Sequence, residues 1–283
     1  MARSTDSSRD TLCVGTFNVR NSGAADGEWA WAGRRATLVS LVRANAPDVI
    51  GFQEVLPDQQ RHLAEGLAEF DSFAAHRDDG ACRGEAASVF FRRDRFKKID
   101  AGTFWLSPDH DRPGPPAWDA ACTRICTWAA LHDKSCGRRV AVFNTHFDHE
   151  GAAARRESAR LIVRHLAARD EPVILMGDFN ATEDSPVYAA LLDAARVAGR
   201  PLTDAHRAVH PTRAPNEASY HGFGTPLMLP TPDMTSGLRI DWILHDNGLR
   251  AIDSCIGPAT DPAGRFASDH APVWAEFEYT NER

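Results

Sequence analysis

Short runs of strand-forming residues recur along the whole chain, at 12–19, 49–54, 87–91, 96–104, 124–132, 140–146, 173–177, 239–244 and 271–278. Each is about the length of one strand. Three stretches between them, 29–45, 151–168 and 186–198, carry apolar residues at helical spacing; the first sets Trp29, Leu38, Leu41 and Val42 near i, i+3, i+4 positions and ends before Pro47. A chain that alternates between these two periods must pair its strands into sheets and cover them with helices, so two packed sheets with outer helices are expected. With 283 residues, 43% hydrophobic and 25% charged, it can bury a sizeable core. No Gly/Ser-rich linker or internal repeat divides it, and residues 11–283 are expected to form a single domain behind a disordered tail of residues 1–10. Two long irregular stretches, 107–121 and 206–236, are rich in Pro, Gly, Asp and His and are expected at a substrate-facing rim.

Composition narrows the partners. The formal net charge of -7 argues against a broad basic surface that would hold long duplex nucleic acid by its phosphates. The six cysteines form no CxxC pair, which makes reduced thiols the default. The polar start MARSTDSSRD has no apolar core, and no run of about 18 apolar residues follows. A cytoplasmic, monomeric protein that does not engage a membrane is expected.

Polar residues that a buried strand would not choose stand at the ends of the apolar runs: Asn18, Glu54, His146, Asp178, Asn180, Asp241, Asp269 and His270. Any one of them reads equally as a cap or turn residue. Together they match what metal-assisted hydrolysis of a phosphoester needs. The anionic oxygens around phosphorus must be neutralised, water must be oriented or deprotonated, and developing charge must meet a donor. Asn, Asp and Glu oxygens are hard ligands suited to Mg²⁺, and histidines supply protons or positive charge.

The segments TFNVR (16–20), FQEV (52–55), NTHFDH (144–149), GDFNA (177–181), RIDWIL (239–244) and SDHAPV (268–273) resemble, in order, the signature segments of the endonuclease/exonuclease/phosphatase superfamily. The resemblance spans nearly the whole chain and implies an α/β fold, a four-layer sandwich of two packed mixed β-sheets with helices on the outer faces. It also implies a phosphoesterase using Mg²⁺, with Mn²⁺ as a substitute. Carried over residue by residue, it makes Glu54 the principal metal ligand, Asn18 and Asp269 its companions, and Asp178 the carboxylate that activates water. Asn180 would hold that water or a phosphoryl oxygen. His270 would contact the phosphate with Asp241 fixing its tautomer, and His146 would be a proton donor or phosphate contact, so that charge flanks the leaving group.

Four further residues are candidates for substrate contact: Arg124 as a bidentate phosphate clamp, Asp148 and His149 as extensions of the His146 motif, and His221 from the second long loop. Each has a plainer reading as an ion pair, rim or turn residue. The tryptophans read mostly as core, with Trp118 in RPGPPAWD the exception, and RRDRFKK (92–98) reads as a solvated hairpin turn. A small or exposed phosphodiester or phosphomonoester is the expected substrate. Three alternatives stay open: a nuclease acting on DNA or RNA, a binding module of the same fold without catalysis, and a zinc hydrolase built on Cys122, Cys126, His146 and His149.

Overall fold

The computed structural model describes residues 11–214, 217–224 and 239–280. The expected disordered tail and residues 225–236 of the second long loop lie outside these. In chain order the strands are β1 (Thr11–Asn18), β2 (Val49–Val55), β3 (Phe70–Phe73), β4 (Ala86–Arg92), β5 (Phe96–Trp105), β6 (Ile125–Asp133), β7 (Arg139–His146), β8 (Val173–Asp178), β9 (Thr203–Asp204), β10 (Asp241–His245), β11 (Leu249–Ile256) and β12 (Val273–Tyr279). The helices are α1 (Trp31–Asn45), α2 (Pro57–Gly66), α3 (Ala152–Ala167), α4 (Pro186–Val197) and the short α5 (Ala205–Val209). Six strands form one sheet in the order β11-β12-β1-β2-β4-β3, and six form the other, β5-β6-β7-β8-β10-β9. Both are mixed: β1 runs parallel to β2 and β7 parallel to β8, among antiparallel neighbours.

Three apolar layers explain why the central strands are buried along their whole length. Between the sheets, Val14, Val49, Val142, Ile174, Met176, Ile243 and Phe277 interlock. Outside the first sheet, Phe17, Ile50, Phe52 and Phe90 meet Leu38 and Val42 of α1 and Leu63 of α2. Beyond the second, Phe143, Leu175 and Trp242 meet Ile162 and Leu166 of α3 and Leu191 of α4. Alternate residues of β8 therefore face opposite apolar layers, and none is left for solvent.

Polar groups cross the sheet interface at both ends. Near the active-site end, Asn144 of β7 donates from Nδ2 to the carbonyls of Phe52 and Ser88, each at 2.9 Å, and its Oδ1 accepts from Gln53 at 2.6 Å. Gly51 makes room for this amide, since a Cβ there would lie 2.6 Å from the Asn144 carboxamide carbon. At the other end, Arg95 ties Asp48, before β2, to Asp133, at the end of β6, with contacts of 2.8 and 2.6 Å. This corrects the reading of RRDRFKK. The turn joins strands of different sheets, so it is no hairpin, and its Arg95 is a largely buried clamp.

Five elements lay outside the expected runs: α2, β3, β9, α5 and β11. The turn 246–248 likewise carries the chain from β10 in one sheet to β11 in the other. The strand alternation shows that a strand exists without showing which sheet receives it.

Asn144→Ala would strip hydrogen bonds from buried partners on the opposite sheet, and an unmet buried polar group costs about 1–3 kcal/mol. A loss of roughly 2–4 kcal/mol in chemical unfolding is expected from the several groups affected. A loss below about 1 kcal/mol would show that the seam does not hold the sheets.

Candidate active site

Strand direction brings the chemistry to one edge. Because β1 and β2 are parallel, Asn18 and Glu54 emerge side by side from the first sheet. The parallel pairing of β7 and β8 does the same for His146 and Asp178, which are register partners in the second. Antiparallel β10 begins at this edge with Asp241 opposite Asp178, and antiparallel β12 is entered there through Asp269 and His270. The close approach of β7 and β8 just before Asp178 requires Gly177: its φ is +150°, and a Cβ would stand 2.0 Å from the Thr145 carbonyl oxygen.

Asn18 joins the two halves, donating from Nδ2 to Glu54 Oε1 at 3.0 Å and to Asp178 Oδ2 at 2.9 Å. Glu54 Oε2 accepts from the backbone and side-chain amides of Asn21 at 3.0 and 2.8 Å. Asn21 is held in turn by α2, whose Gln59 bonds Ser22 N and the Arg20 carbonyl at 3.1 and 2.9 Å. Asp241 Oδ2 lies 2.8 Å from His270 Nδ1, and His270 Nε2 lies 3.6 Å from Asp178 Oδ2. Asn180 donates to His146 Nε2 at 3.0 Å and to the Phe147 carbonyl at 2.9 Å. Three non-glycine residues here, Arg20, Glu54 and Asn180, have φ of 53°, 62° and 46°. Asparagine tolerates that left-handed region; glutamate pays in strain, which the surrounding bonds must hold.

The charges are set by burial and by one another. Burial and the neighbouring Asp241 push Asp178 up to about 7, against the pull of His270 and Asn18. His270 moves the other way: burial opposes its charge, but Asp241 and Asp178 outweigh it and raise the imidazole to about 10. It is therefore an imidazolium at neutral pH. Burial would raise Glu54 as well, but the bonds from Asn21 and Asn18 and the charge of Arg20 leave it lowered and ionised. Asp269 is raised by burial and by Glu54, with His270 opposing. His146 is driven well below the usual histidine range, first by burial and then by Arg124 and Arg77. The two histidines thus differ in charge, His270 being cationic and His146 neutral.

A cleft of about 330 Å³ opens over this edge. Glu54, His146, Asp178, Asn180, Asp269 and His270 line it, with Arg124 and His149 at its flank. Asn18 and Asp241 lie beneath, reaching it through the residues they hold. Two expected contacts stand elsewhere. The Asp148 carboxylate accepts from the amides of Ala121, Cys122, Glu150 and Gly151 at 2.8–3.1 Å, because a buried turn must satisfy its backbone donors, and it organises the loop instead of facing the cleft. The His221 ring packs on Phe266 and is pushed down to about 4 by burial, while its backbone N–H holds the Asp269 carbonyl at 3.0 Å. The zinc alternative fails on Cys126, which sits fully buried in the core beneath α3 and α4. Cleft residues not anticipated include Arg20, Asn21, Arg77, Glu85 and Tyr220. Only Arg20 fell within a signature segment; the others come from loops and strand starts without one.

Residues 15–270 match the Endonuclease/Exonuclease/phosphatase family, and the chain belongs to it. Among solved structures it is similar to an endonuclease/exonuclease/phosphatase from Bacteroides vulgatus, at 33% identity over 95% of this chain and 99% of that one, with a TM-score of 0.83. A mannosyl-6-phosphatase from Bacteroides thetaiotaomicron follows at 28% identity and a TM-score of 0.81, covering 95% of this chain and 100% of that one. Nocturnin of Drosophila melanogaster is 24% identical over 279 residues, 88% of this chain and 42% of that protein. The chain thus spans less than half the length of that relative and 63% of another, the uncharacterized protein L388 of Acanthamoeba polyphaga mimivirus.

The donor set fits a divalent cation. Asp178 and Asp269 are buried acids and Glu54 a half-buried one, bridged or repelled by one another, and each offers hard oxygen. Asp178, Asp241 and His270 could also gather around an ion, since their ligand atoms lie within 4.8 Å of one another. The His270–Asp241 hydrogen bond already engages that second set, while Glu54 and Asp269 offer carboxylate oxygens at the wall of the cleft.

Since Asp178 takes its proton near pH 7, protons and a divalent cation compete for the same site. With one proton released on binding, affinity is expected to be about tenfold weaker at pH 6 than at pH 8. Calorimetric Mg²⁺ titrations at both pH values check this, and equal affinities would remove Asp178 from the cation's field. Alanine at Asp241 or His270 should each lower kcat/KM by roughly 10²–10⁴-fold, with the double variant little worse than the worse single. Multiplying losses would mean that the pair does not act as a unit, and melting curves alongside the kinetics separate loss of rate from loss of fold.

Proposed function

We propose that the chain is a Mg²⁺-dependent phosphoesterase that hydrolyses a small or exposed phosphodiester or phosphomonoester by attack of water on phosphorus. The observation that carries this reading is Asp178. It is a buried acid pushed up to about 7, and it stands 3.6 Å from a histidine that Asp241 keeps charged. A base tuned near neutrality beside a fixed cation is what water attack on an anionic centre needs.

When bound at Glu54 and Asp269, with Asn18 holding Glu54 in position, Mg²⁺, or Mn²⁺ in its place, would neutralise phosphoryl oxygens and make phosphorus more open to attack. The chain's own residues do the rest. Asp178, ionised, accepts the proton of the incoming water as its oxygen bonds to phosphorus, the ester P–O bond breaks, and the departing oxygen takes a proton from solvent. Asn180 spends both hydrogens of its amide on His146 and Phe147, which turns its Oδ1 toward the role of acceptor for that water. His270 donates from Nε2 to a phosphoryl oxygen while Nδ1 stays on Asp241, so the tautomer and ring orientation are fixed before substrate arrives. His146, neutral, serves as a hydrogen-bonding contact.

Similarity to a mannosyl-6-phosphatase over 95% of this chain and 100% of that one supports a small phosphorylated substrate, as does the acidic balance of 39 Asp and Glu against 32 Lys and Arg. Among the described residues no helix is long and apolar enough to cross a membrane. Monomeric, cytoplasmic action on a dissolved substrate completes the reading.

The test is a Mg²⁺-supplemented panel of sugar phosphates, dinucleotides, single-stranded and duplex nucleic acids, and lipid head-group esters. Glu54→Gln should abolish most turnover without lowering the melting temperature. For the best small substrate kcat/KM should change only a few-fold between about 50 and 200 mM salt, whereas a groove neutralising many phosphates would lose roughly 10³–10⁵ in affinity. Efficient duplex cleavage with a steep salt slope would restore the nuclease alternative. Absence of turnover on every phosphoester would favour the binding module.

A further inference from the structure

The flank of the cleft away from His270 carries positive charge that the hydrolytic residues do not use. Arg124 stands just before β6, next to β7 in the sheet, and β8 with Asp178 lies beyond β7. Two strand spacings, about 10 Å, therefore separate its backbone from that of Asp178. Its side chain is only 7% exposed, yet its nearest carboxylate oxygen, Asp148 Oδ2, is 3.5 Å away. That is too long for a good hydrogen bond. Asp148 is already engaged by four backbone amides, so it answers the guanidinium weakly. The other contact of Arg124 is an imidazole: one terminal nitrogen lies 3.0 Å from His149 Nδ1. Arg77 lines the same flank, paired at 2.6 Å with Glu85. Its charge and that of Arg124 both reach His146 and help to keep it neutral.

A nine-tenths buried guanidinium that faces a cleft, and whose carboxylate partner at 3.5 Å is shared with four backbone amides, keeps donors that an incoming anion can use. The scissile phosphoryl group has its own cationic partner in His270 on the far side of Asp178. We infer that Arg124, with His149 and Arg77, holds a second anionic group of the substrate, apart from the phosphoryl group being hydrolysed. Resting on the phosphoesterase reading above, this names the substrate class: a small molecule with a phosphoester at one end and a second phosphate or carboxylate at the other, joined by a sugar-sized spacer. A cleft of about 330 Å³ suits that size. Arginine is fitted to either anion, since its planar fork can meet two oxygens at once.

The test compares a hexose monophosphate, a hexose bisphosphate and a phosphorylated aldonic acid in Mg²⁺, using the full chain, Arg124→Lys, Arg124→Gln and the milder His149→Ala. The wild-type protein should favour one or both doubly anionic compounds, and the order of those two tells phosphate from carboxylate. Arg124→Gln should raise KM for the favoured compound by roughly 30-fold or more, and by much less for the monophosphate. Arg124→Lys should recover part of that loss and His149→Ala should cost only a few-fold, as expected for a residue 45% exposed. A second readout does not need turnover: calorimetric binding of the hexose bisphosphate should weaken at least tenfold in Arg124→Gln. Binding that depends on Arg124 without hydrolysis of any compound would leave the subsite standing and overturn the phosphoesterase reading. Hydrolysis without preference for two anions, or an equal fall in kcat for all three compounds in a folded Arg124→Gln, would overturn the subsite, the latter placing Arg124 on the scissile phosphate. Should Arg124→Gln fail to fold, the preference shown by the wild type, with Arg124→Lys and His149→Ala, decides the matter in the same way.

Discussion

Everything at the active edge depends on two sheets staying in register with each other at one end. The apolar layer between them is non-directional and would tolerate some sliding. Asn144 does not: its carboxamide reaches from β7 to carbonyls on β2 and β4 and is met by Gln53, and each of these partners is buried. Asn18 repeats the device one step nearer the cleft by bonding Glu54 on its own sheet and Asp178 on the other. A shift of one sheet past the other by even 1 Å would break both amides at once. Directional bonds thus convert an apolar sandwich into a frame that holds Glu54 of one sheet and Asp178 of the other at a fixed separation.

The same frame concentrates negative charge that it cannot neutralise alone. Burial, together with mutual repulsion, raises Asp178, Asp269 and Glu85. The chain offsets part of this with Arg20, 3.7 Å from Asp269, and with the imidazolium of His270. Glu54 remains lowered because Asn21 and Asn18 give it hydrogen bonds that only the ionised form uses fully. Differences in hydrogen bonding, more than in depth of burial, therefore separate a lowered carboxylate, Glu54, from a raised one, Asp178.

Much of this could be read from the sequence because it follows from local pattern. Strand ends marked by Asn18, Glu54, His146 and Asp178 converge since parallel pairing leaves their ends on one edge, and the SDH and RIDW segments meet because antiparallel strands begin there. The family, with its six segments in order, was equally legible. What escaped was long-range. The Pro57 start of α2, with Gln59 two residues on to bond Leu56 N, is a start signal that was available and passed over, and through it the positioning of Asn21 was missed. The turns at 93–95 and 246–248 look like hairpins because turn chemistry is the same whether the next strand stays in the sheet or leaves it. Only Arg95, whose two aspartates lie far away in the chain, reveals the crossing.

His146 shows how a residue's role can be rewritten by neighbours that its motif does not contain. The family resemblance allows it a proton or a charge, and its place beside Asp178, at 3.4 Å, would favour the charged form if that carboxylate acted alone. Arg124 and Arg77 lie on the other side, and with burial they prevail. The positive charge on that flank therefore belongs to guanidiniums, which cannot lose it near neutral pH, and not to an imidazole, which can. Across the cleft the assignment reverses, because Asp241 stabilises the protonated ring of His270. One edge of the sandwich thus carries two histidines in different charge states: burial, with Arg124 and Arg77, keeps His146 neutral, while Asp241 and Asp178 keep His270 charged.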